Sequence, residues 1–139
     1  MNAFDTDVFS EILLGNAAYI SRLSLIPADQ QAIPIIVAEE ILRGRLNVIR
    51  QAEASKSKIS VELAYHLLEE TIRDLGRVQM LTYTGGAEAT YQRWRQAGIR
   101  ISTHDLRIAA ICLVHGVTLI SRNRRDFERV PDLAVEFWD

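Results

Sequence analysis

The feature that most constrains the fold is a regular alternation between short apolar runs and longer segments with helical spacing. The short runs are rich in β-branched residues and predict strands at 2–4, 32–36, 78–83, 117–123 and 133–138. The longer segments predict helices at 8–15, 16–26, 37–54, 60–76, 86–98 and 102–116. Strands that alternate with helices favour a parallel sheet with helices on both faces. We therefore expect an α/β protein, a three-layer α/β/α sandwich around a parallel sheet of four to five strands.

Two of the predicted helices carry more detailed signals. Ser60 is a candidate N-cap for the fourth helix, whose buried stripe is predicted to contain Leu63, Leu67, Leu68 and Ile72. The last helix has Ser102 or Thr103 as its cap and is apolar almost all round, which is typical of a buried helix.

Length and composition predict one domain that spans residues 1–139. Hydrophobic residues make up 48% and charged residues 24% of the chain, the balance of a protein with a real core. The N-terminus does not resemble a signal peptide and no apolar run is long enough for a membrane helix, so we expect a cytoplasmic protein. The single cysteine, Cys112, lies in an apolar run and is predicted to be a core residue.

Polar residues recur where the predicted strands end. Ligand sites in parallel sheets form beyond the carboxyl ends of the strands, so residues that follow different strands meet at one edge. The residues at this edge are Asp5 and Asp7 after the first strand, Glu39 and Glu40 in the first turn after the second, Asp105 in the first turn of the last helix, and Asn123 and Asp126 after the fourth strand.

Two explanations fit these acids. The helix dipole favours acids in a first turn, which accounts for Glu39, Glu40 and Asp105 one at a time, but not for Asp5. A cluster of carboxylates without a neighbouring lysine is a ligand set for Mg²⁺ or Mn²⁺. Such ions activate water and bind the oxygens of a phosphodiester during its displacement. The leading interpretation is a metal-dependent phosphoryl or phosphodiester enzyme.

The remaining polar features are less specific. The histidines form no triad: His66 and His115 are predicted to be structural, and only His104 adjoins a candidate acid. Of the 16 basic residues 14 are arginine, whose planar fork suits phosphate, although a GC-rich genome also explains this bias. The net charge of −2 does not by itself indicate a nucleic-acid binder.

Three segments, in order, resemble the PIN-domain ribonucleases, most of all the VapC-type toxins of toxin–antitoxin pairs. "FDTDVFS" resembles the first motif with Asp5 as its acid, and "IVAEEILRG" resembles the second, which singles out Glu40. "THDLRIAAICLVHGVTLISRNRRDFERVPDL" resembles the third motif and the family's end, with Asp105 as its acid. The resemblance covers nearly the whole chain.

The resemblance implies an endoribonuclease that cleaves RNA with water activated by Mg²⁺ or Mn²⁺. Asp5, Glu40 and Asp105 would hold the metal, and Thr6 would orient Asp5 through a hydrogen bond. Arg122, Arg124 and Arg125 would bind RNA phosphates, unless they form only a solvated loop. A cognate antitoxin that inserts a basic side chain into the site, and a homodimer, are the implied protein partners.

The chain departs from the family at Asn123, where many members have a fourth acid. Asn123 offers a carbonyl oxygen without charge, and Asp126 is the candidate for the missing carboxylate. Asp7 occupies a position where the family often has Asn, so we expect it to cap the helix that begins at Val8 or Phe9.

Two other functions compete with the nuclease. The amide at position 123 leaves open a catalytically impaired PIN fold that serves as a binding module. "DTD" also resembles the opening of haloacid-dehalogenase phosphatases, but those enzymes and receiver domains need a late lysine, and none follows Lys58.

Overall fold

A computed structural model describes all of residues 1–139 and contains one five-stranded sheet. The strands are β1 (Asn2–Phe4), β2 (Gln31–Pro34), β3 (Gln79–Leu81), β4 (Thr118–Ser121) and β5 (Val135–Phe137). Their order is β3-β2-β1-β4-β5, and every neighbouring pair is parallel. The predicted α/β class and the parallel sheet are confirmed. Because the chain leaves β1 toward β2 and later returns to β4, a crevice is expected beyond the carboxyl ends of β1 and β4.

Seven helices flank the sheet. They are α1 (Thr6–Leu13), α2 (Ala17–Leu23), α3 (Ile35–Glu53), α4 (Val61–Leu75), α5 (Gly85–Gln96), α6 (Thr103–His115) and α7 (Arg124–Phe127). Ser60 and Ser102 cap α4 and α6 as predicted, each accepting a hydrogen bond from a backbone N–H at 3.1 Å. The short helix α7 and a 3₁₀ turn at Ala28–Gln30 were not predicted, since segments of one turn carry no periodicity.

One cluster of 28 buried hydrophobic residues forms the core and joins the sheet to its helices. Helix α6 is buried as predicted, and it contributes Leu106, Ile108, Ile111 and Cys112, all fully inaccessible to solvent. Burial also raises the pKa of the Cys112 thiol, which keeps it protonated. The buried α6 therefore fixes the position of its own first turn, where Asp105 lies. No helix of the chain is both long and apolar enough to cross a bilayer.

Two helices differ from the sequence prediction. Helix α3 begins at Ile35, two residues early, because Pro34 ends β2 and serves as the N-cap position. Glu39 and Glu40 therefore lie in the second helical turn, where the dipole effect is weak. The stripe predicted for α4 is wrong in part: Leu63 and Ile72 are 45% and 55% exposed. The buried residues of α4 are Ala64, Thr71 and Leu75.

Candidate active site

Asp5 lies at the crevice between β1 and β4 and is 5% exposed. Its backbone N–H donates to Ile120 of β4, so the residue is held between the two central strands. One carboxylate oxygen, Oδ1, accepts a hydrogen bond from the N–H of Val8 at 3.0 Å. The other, Oδ2, accepts a hydrogen bond from the hydroxyl of Ser121. The carboxylate is thereby fixed at the end of the strand with a defined orientation.

Asp5, and not Asp7, is the N-cap of α1, so the predicted role of Asp7 is wrong. The helix begins at Thr6, which places Asp7 in its first turn with an exposed side chain. The two acids do not share a face because the strand ends at Phe4, before either of them. Asp7 remains close enough to raise the pKa of Asp5, and its position in the first turn is favourable for an acid.

Glu40 reaches the same region from α3. Its Oε1 accepts a 2.6 Å hydrogen bond from the hydroxyl of Thr6, which leaves Oε2 available. The predicted contact between Thr6 and Asp5 is therefore wrong, since Thr6 orients Glu40 instead. Glu39, on the adjacent face of α3, pairs with Arg43 at 2.8 Å and with His104 at 3.2 Å. Glu39 therefore has two basic partners, whereas Glu40 forms no ion pair.

Asp105 is the acid whose pKa is affected by three other acids of the group. It lies in the first turn of α6, whose cap Ser102 accepts a hydrogen bond from the Asp105 N–H. Burial raises the pKa of the Asp105 carboxyl, and the negative charges of Glu40, Asp126 and Asp7 raise it further. Asp105 in turn acts on Asp5, where burial is the largest cause of a pKa raised to about 6. The acids from four helices and one strand end therefore share one electrostatic environment.

Asn123 and Asp126 lie together at α7. The Asn123 side chain caps this helix: its Oδ1 accepts from the Asp126 N–H at 3.3 Å, and its Nδ2 donates to Asp126 Oδ2 at 2.9 Å. The amide thus holds the carboxylate of Asp126 in place while adding no charge. Asp126 is the residue of this pair that acts electrostatically on Asp105.

None of these carboxylates has a basic partner. None of the nine ion pairs of the protein includes Asp5, Asp7, Glu40, Asp105 or Asp126, although one of them joins Glu39 and His104, the chain neighbours of Glu40 and Asp105. Buried or half-buried carboxylates without a counter-charge are costly, so a cation is the ligand that this arrangement favours.

The donor set fits a hard divalent cation that keeps part of its water. No three His, Cys, Asp or Glu side chains are close enough to enclose an ion by themselves. Mg²⁺ commonly binds through one or two carboxylates and retains several waters, so a closed cage is not required. All the available donors are oxygens, which suits Mg²⁺ or Mn²⁺ and not Zn²⁺.

Ser121 is a site residue that the sequence interpretation missed. It is fully buried at the end of β4, donates to Asp5 Oδ2, and accepts from the Asn123 N–H at 2.9 Å. It therefore links the first acid to the loop that carries Asn123 and Asp126. The signal available in the sequence was the serine that ends the strand "TLIS".

The three arginines predicted to bind RNA lie in different surroundings. Arg122 is 3.6 Å from Glu11, and Arg124 donates to both carboxylate oxygens of Asp139. Arg125 has no carboxylate within ion-pair distance and faces an open cleft.

The protein is an α/β fold whose sheet has the strand order 3-2-1-4-5, with carboxylates in the crevice at its switch point. Comparison with known families shows which family with this fold the chain belongs to. The model of the PIN domain family matches residues 3–133, so the chain belongs to the PIN domain family.

Several relatives of the chain are described as VapC ribonucleases. Ribonuclease VapC1 of Rickettsia felis is 32% identical over 106 residues, which cover 76% of this chain and 75% of that protein. Ribonuclease VapC2 of the same organism is 26% identical over 127 residues, which cover 88% and 85%. A crystal structure of VapBC2 from Rickettsia felis, bound to a DNA fragment from its promoter, aligns with a TM-score of 0.73 at 26% identity, covering 99% of this chain and 98% of that one. The predicted resemblance to VapC-type PIN domains is confirmed.

Proposed function

We propose that this protein is an endoribonuclease of the VapC type that hydrolyses RNA with a bound divalent cation, Mg²⁺ or Mn²⁺. The observation that carries the proposal is the group of converging carboxylates that has no basic partner, although the protein contains nine ion pairs. Membership of the PIN domain family and the VapC ribonucleases among its relatives support the same reaction.

The cation would be held by Asp5 and Asp105 together with retained water, and Glu40, the third carboxylate, would act through that water. When bound, it would supply charge for the phosphate oxygens and lower the pKa of a water molecule. Asp5 is presented in one orientation by Val8 and Ser121, which leaves it no freedom to turn away from the site. Thr6 holds one oxygen of Glu40 and leaves the other to face the crevice. These fixed side chains reduce the reorganisation needed when the substrate arrives.

Asn123 and Asp126 complete the proposed site on the side of α7. Asp126 supplies the fourth carboxylate, and Asn123 positions it through the paired hydrogen bonds described above. Asp126 would act through water and not as a direct ligand, since Asn123 already holds one of its carboxylate oxygens. In this assignment Asn123 is a positioning residue.

The biological role that fits is that of the toxin in a toxin–antitoxin pair, acting in the cytoplasm as a single domain over residues 1–139. A groove of about 360 Å³ runs between α1 and α3 and includes Thr6 and Glu40 at one end. Leu14 lines this groove and is 75% exposed, so a partner in the groove would cover an apolar side chain. An antitoxin segment in this groove would bring a basic side chain to the carboxylates. A homodimer remains our expectation for the oligomeric state.

The function is tested by cleavage of a fluorescent single-stranded RNA by the purified protein. We expect cleavage in Mg²⁺ or Mn²⁺, none in EDTA, and a loss of more than about 100-fold in Asp105→Asn, because losing a direct ligand exceeds the 10- to 100-fold typical of outer contacts. Cleavage that persists in EDTA would contradict the metal mechanism. RNA binding without any cleavage in either metal would identify the protein as a catalytically impaired binding module.

A further inference from the structure

The arginines near the active site fall into two groups, those that already have carboxylate partners and those that do not. Arg124 lies 2.8 Å and 3.2 Å from the two oxygens of Asp139 and 3.3 Å from Glu128. Arg125, the next residue, has no hydrogen-bond acceptor and no ion-pair partner, and the same holds for the side chain of Arg100. Position near the site therefore does not decide which arginine is free to bind an anion.

Arg125 and Arg100 line one cleft of about 740 Å³ between α7 and the loop that joins α5 to α6. Arg95 and Arg129 complete its basic lining, and the one acid is Asp126, so four positive charges face a single negative charge. Only two of its nine lining residues are hydrophobic. A small apolar ligand is therefore excluded, and a polar anion is the expected occupant.

One side of the cleft is the loop between α5 and α6, and two arginines of the cleft hold this loop in place. Arg95 donates to the carbonyl oxygens of Ile99 and Ile101, both at 2.7 Å. Arg129 donates to the carbonyl oxygen of Arg100 at 3.3 Å. Gly98 turns the chain into this loop with φ +85°, a conformation that favours glycine. The loop is thus fixed with the guanidinium groups of Arg100 and Arg125 left without partners.

The cleft adjoins the carboxylate site directly. Ser102 lines the cleft and also caps the helix that presents Asp105. Asp126 lines the cleft as well and acts electrostatically on Asp105. A chain of phosphates whose scissile group lies over the carboxylates would continue past Ser102 and Asp126 into the arginine-lined space.

We propose that this cleft, formed by Arg95, Arg100, Arg125 and Arg129, binds a backbone phosphate of the RNA next to the scissile one. The inference rests on the proposed ribonuclease function and adds to it a phosphate subsite. Arg100 and Arg125 are the binding residues, since a free guanidinium donates two parallel hydrogen bonds to phosphate oxygens. Arg95 and Arg129 are positioning residues that also add charge. A phosphate bound there fixes the register of the strand on the enzyme without reading its sequence.

The test compares two double variants that remove the same charge. Arg100→Ala with Arg125→Ala removes the two free guanidinium groups and leaves the arginines that hold the loop. Arg73→Ala with Arg77→Ala is the matched control, since both residues are exposed and pair only with Glu69 and Asp74 at α4. Binding of a fluorescein-labelled single-stranded RNA is followed by anisotropy in EDTA, where no cleavage is expected, at a series of salt concentrations.

We expect the cleft variant to bind this RNA about tenfold more weakly than wild type, because a charge-assisted hydrogen bond contributes a factor of this order. The slope of log Kd against log salt should fall by about 0.7, the value expected when one phosphate fewer is neutralised on a single strand. In Mn²⁺, the same variant should show a raised KM with kcat nearly unchanged. Replacing single phosphates with neutral methylphosphonates should weaken wild-type binding at one position, and this effect should vanish in the cleft variant.

Three results would overturn the subsite. The first is an unchanged affinity and salt slope in the cleft variant. The second is an equal loss in the Arg73 and Arg77 control, which would reduce the effect to overall charge. The third is weakened binding of an acidic antitoxin segment with RNA binding intact, which would assign the cleft to a protein. Wild-type protein that binds RNA through the cleft but cleaves none would refute the proposed nuclease and leave the subsite standing.

Discussion

Two acidic regions of this protein differ in whether their carboxylates have basic partners. On α4, Glu69 lies 2.8 Å from Arg73, Glu70 lies 3.1 Å from His66, and Asp74 lies 3.5 Å from Arg77. At the carboxyl edge of the sheet, Glu40, Asp126 and Asp7 raise the pKa of Asp105, and none of these acids forms an ion pair.

The difference separates acids whose charge is paired on the surface from acids whose charge is left unpaired in a partly buried site. The α4 pairs are exposed, and each contributes little because water screens both charges. At the edge, burial and, to a smaller extent, the neighbouring negative charges raise the pKa of Asp5 and Asp105, so the ionised forms of these two carboxyls are unfavourable without a counter-charge. Under the proposed function, a bound cation would offset this cost. Substitutions in each region can measure how strongly the paired and the unpaired acids affect stability and activity.

The largest effect concerns the stability of the metal-free protein and its dependence on pH. The pKa of Asp5 is about 6 in the folded protein against an ordinary value of 3.8, mainly because of burial. The folded state therefore holds a proton that the unfolded state has released, and stability is lost as the pH rises from about 4 to 6. This difference in pKa corresponds to about 3 kcal/mol.

Asp5→Asn removes the titration and should abolish this loss. In EDTA, the free energy of unfolding of the variant minus that of wild type should be about 3 kcal/mol larger at pH 7 than at pH 4. Urea unfolding at both pH values measures the gain, and Glu69→Gln serves as the surface control. A constant difference between wild type and Asp5→Asn across this range would mean that Asp5 carries no unfavourable charge.

The next effect concerns the orientation of Asp5. Ser121→Ala removes the hydroxyl that donates to Asp5 Oδ2 and leaves the buried volume almost unchanged. We expect RNA cleavage to fall by about 10- to 100-fold, the usual cost of losing a residue that positions a metal ligand. Ser121→Thr retains the hydroxyl and should recover part of the activity if the residue acts by positioning. Equal losses in Ser121→Ala and Ser121→Thr, together with lowered melting temperatures, would assign Ser121 to packing alone.

The smallest effect should appear on α4. Glu69→Gln breaks the pair with Arg73 at a site where both side chains are more than half exposed. The expected change in the free energy of unfolding is at most about 0.5 kcal/mol. Cleavage and metal affinity should be the same as in wild type. A loss of more than about 1 kcal/mol, measured by urea unfolding, would show that the surface pairs are not equivalent to ordinary exposed ones.

The sequence placed the acids of the sheet edge after the right strands, but it predicted their contacts poorly. The strand "NAF" is followed directly by an acid, and this order predicted the position of Asp5. Few structural roles other than a ligand site explain a carboxylate at the end of a buried strand. The prediction of Asp7 as the helix cap was wrong, because the helix begins at Thr6 and its cap is Asp5. Thr6 lies beside Asp5 in the chain but contacts Glu40, 34 residues away, through the packing of α1 on α3.

The error on α4 has a similar origin. Its periodicity predicts an apolar stripe, but the buried face is decided by α3, which packs against it. Thr71 is buried there because its hydroxyl accepts from Arg45 of α3 and donates to the Leu67 carbonyl oxygen. The exposed Leu63 and Ile72 lie on the side that α3 leaves open. Local pattern predicts that a helix is amphipathic, whereas the partner determines which residues it buries.

The most direct test of the unpaired carboxylates as a cation site is calorimetric titration of Mn²⁺ into wild type, Asp5→Asn and Glu69→Gln at pH 7. All three proteins are compared at the same salt concentration after circular dichroism has confirmed that each is folded. We predict one Mn²⁺ site in wild type and in Glu69→Gln with equal affinity, and an affinity lowered at least about tenfold in Asp5→Asn. Wild-type affinity in Asp5→Asn, or a loss of affinity in Glu69→Gln as large as that in Asp5→Asn, would contradict the site.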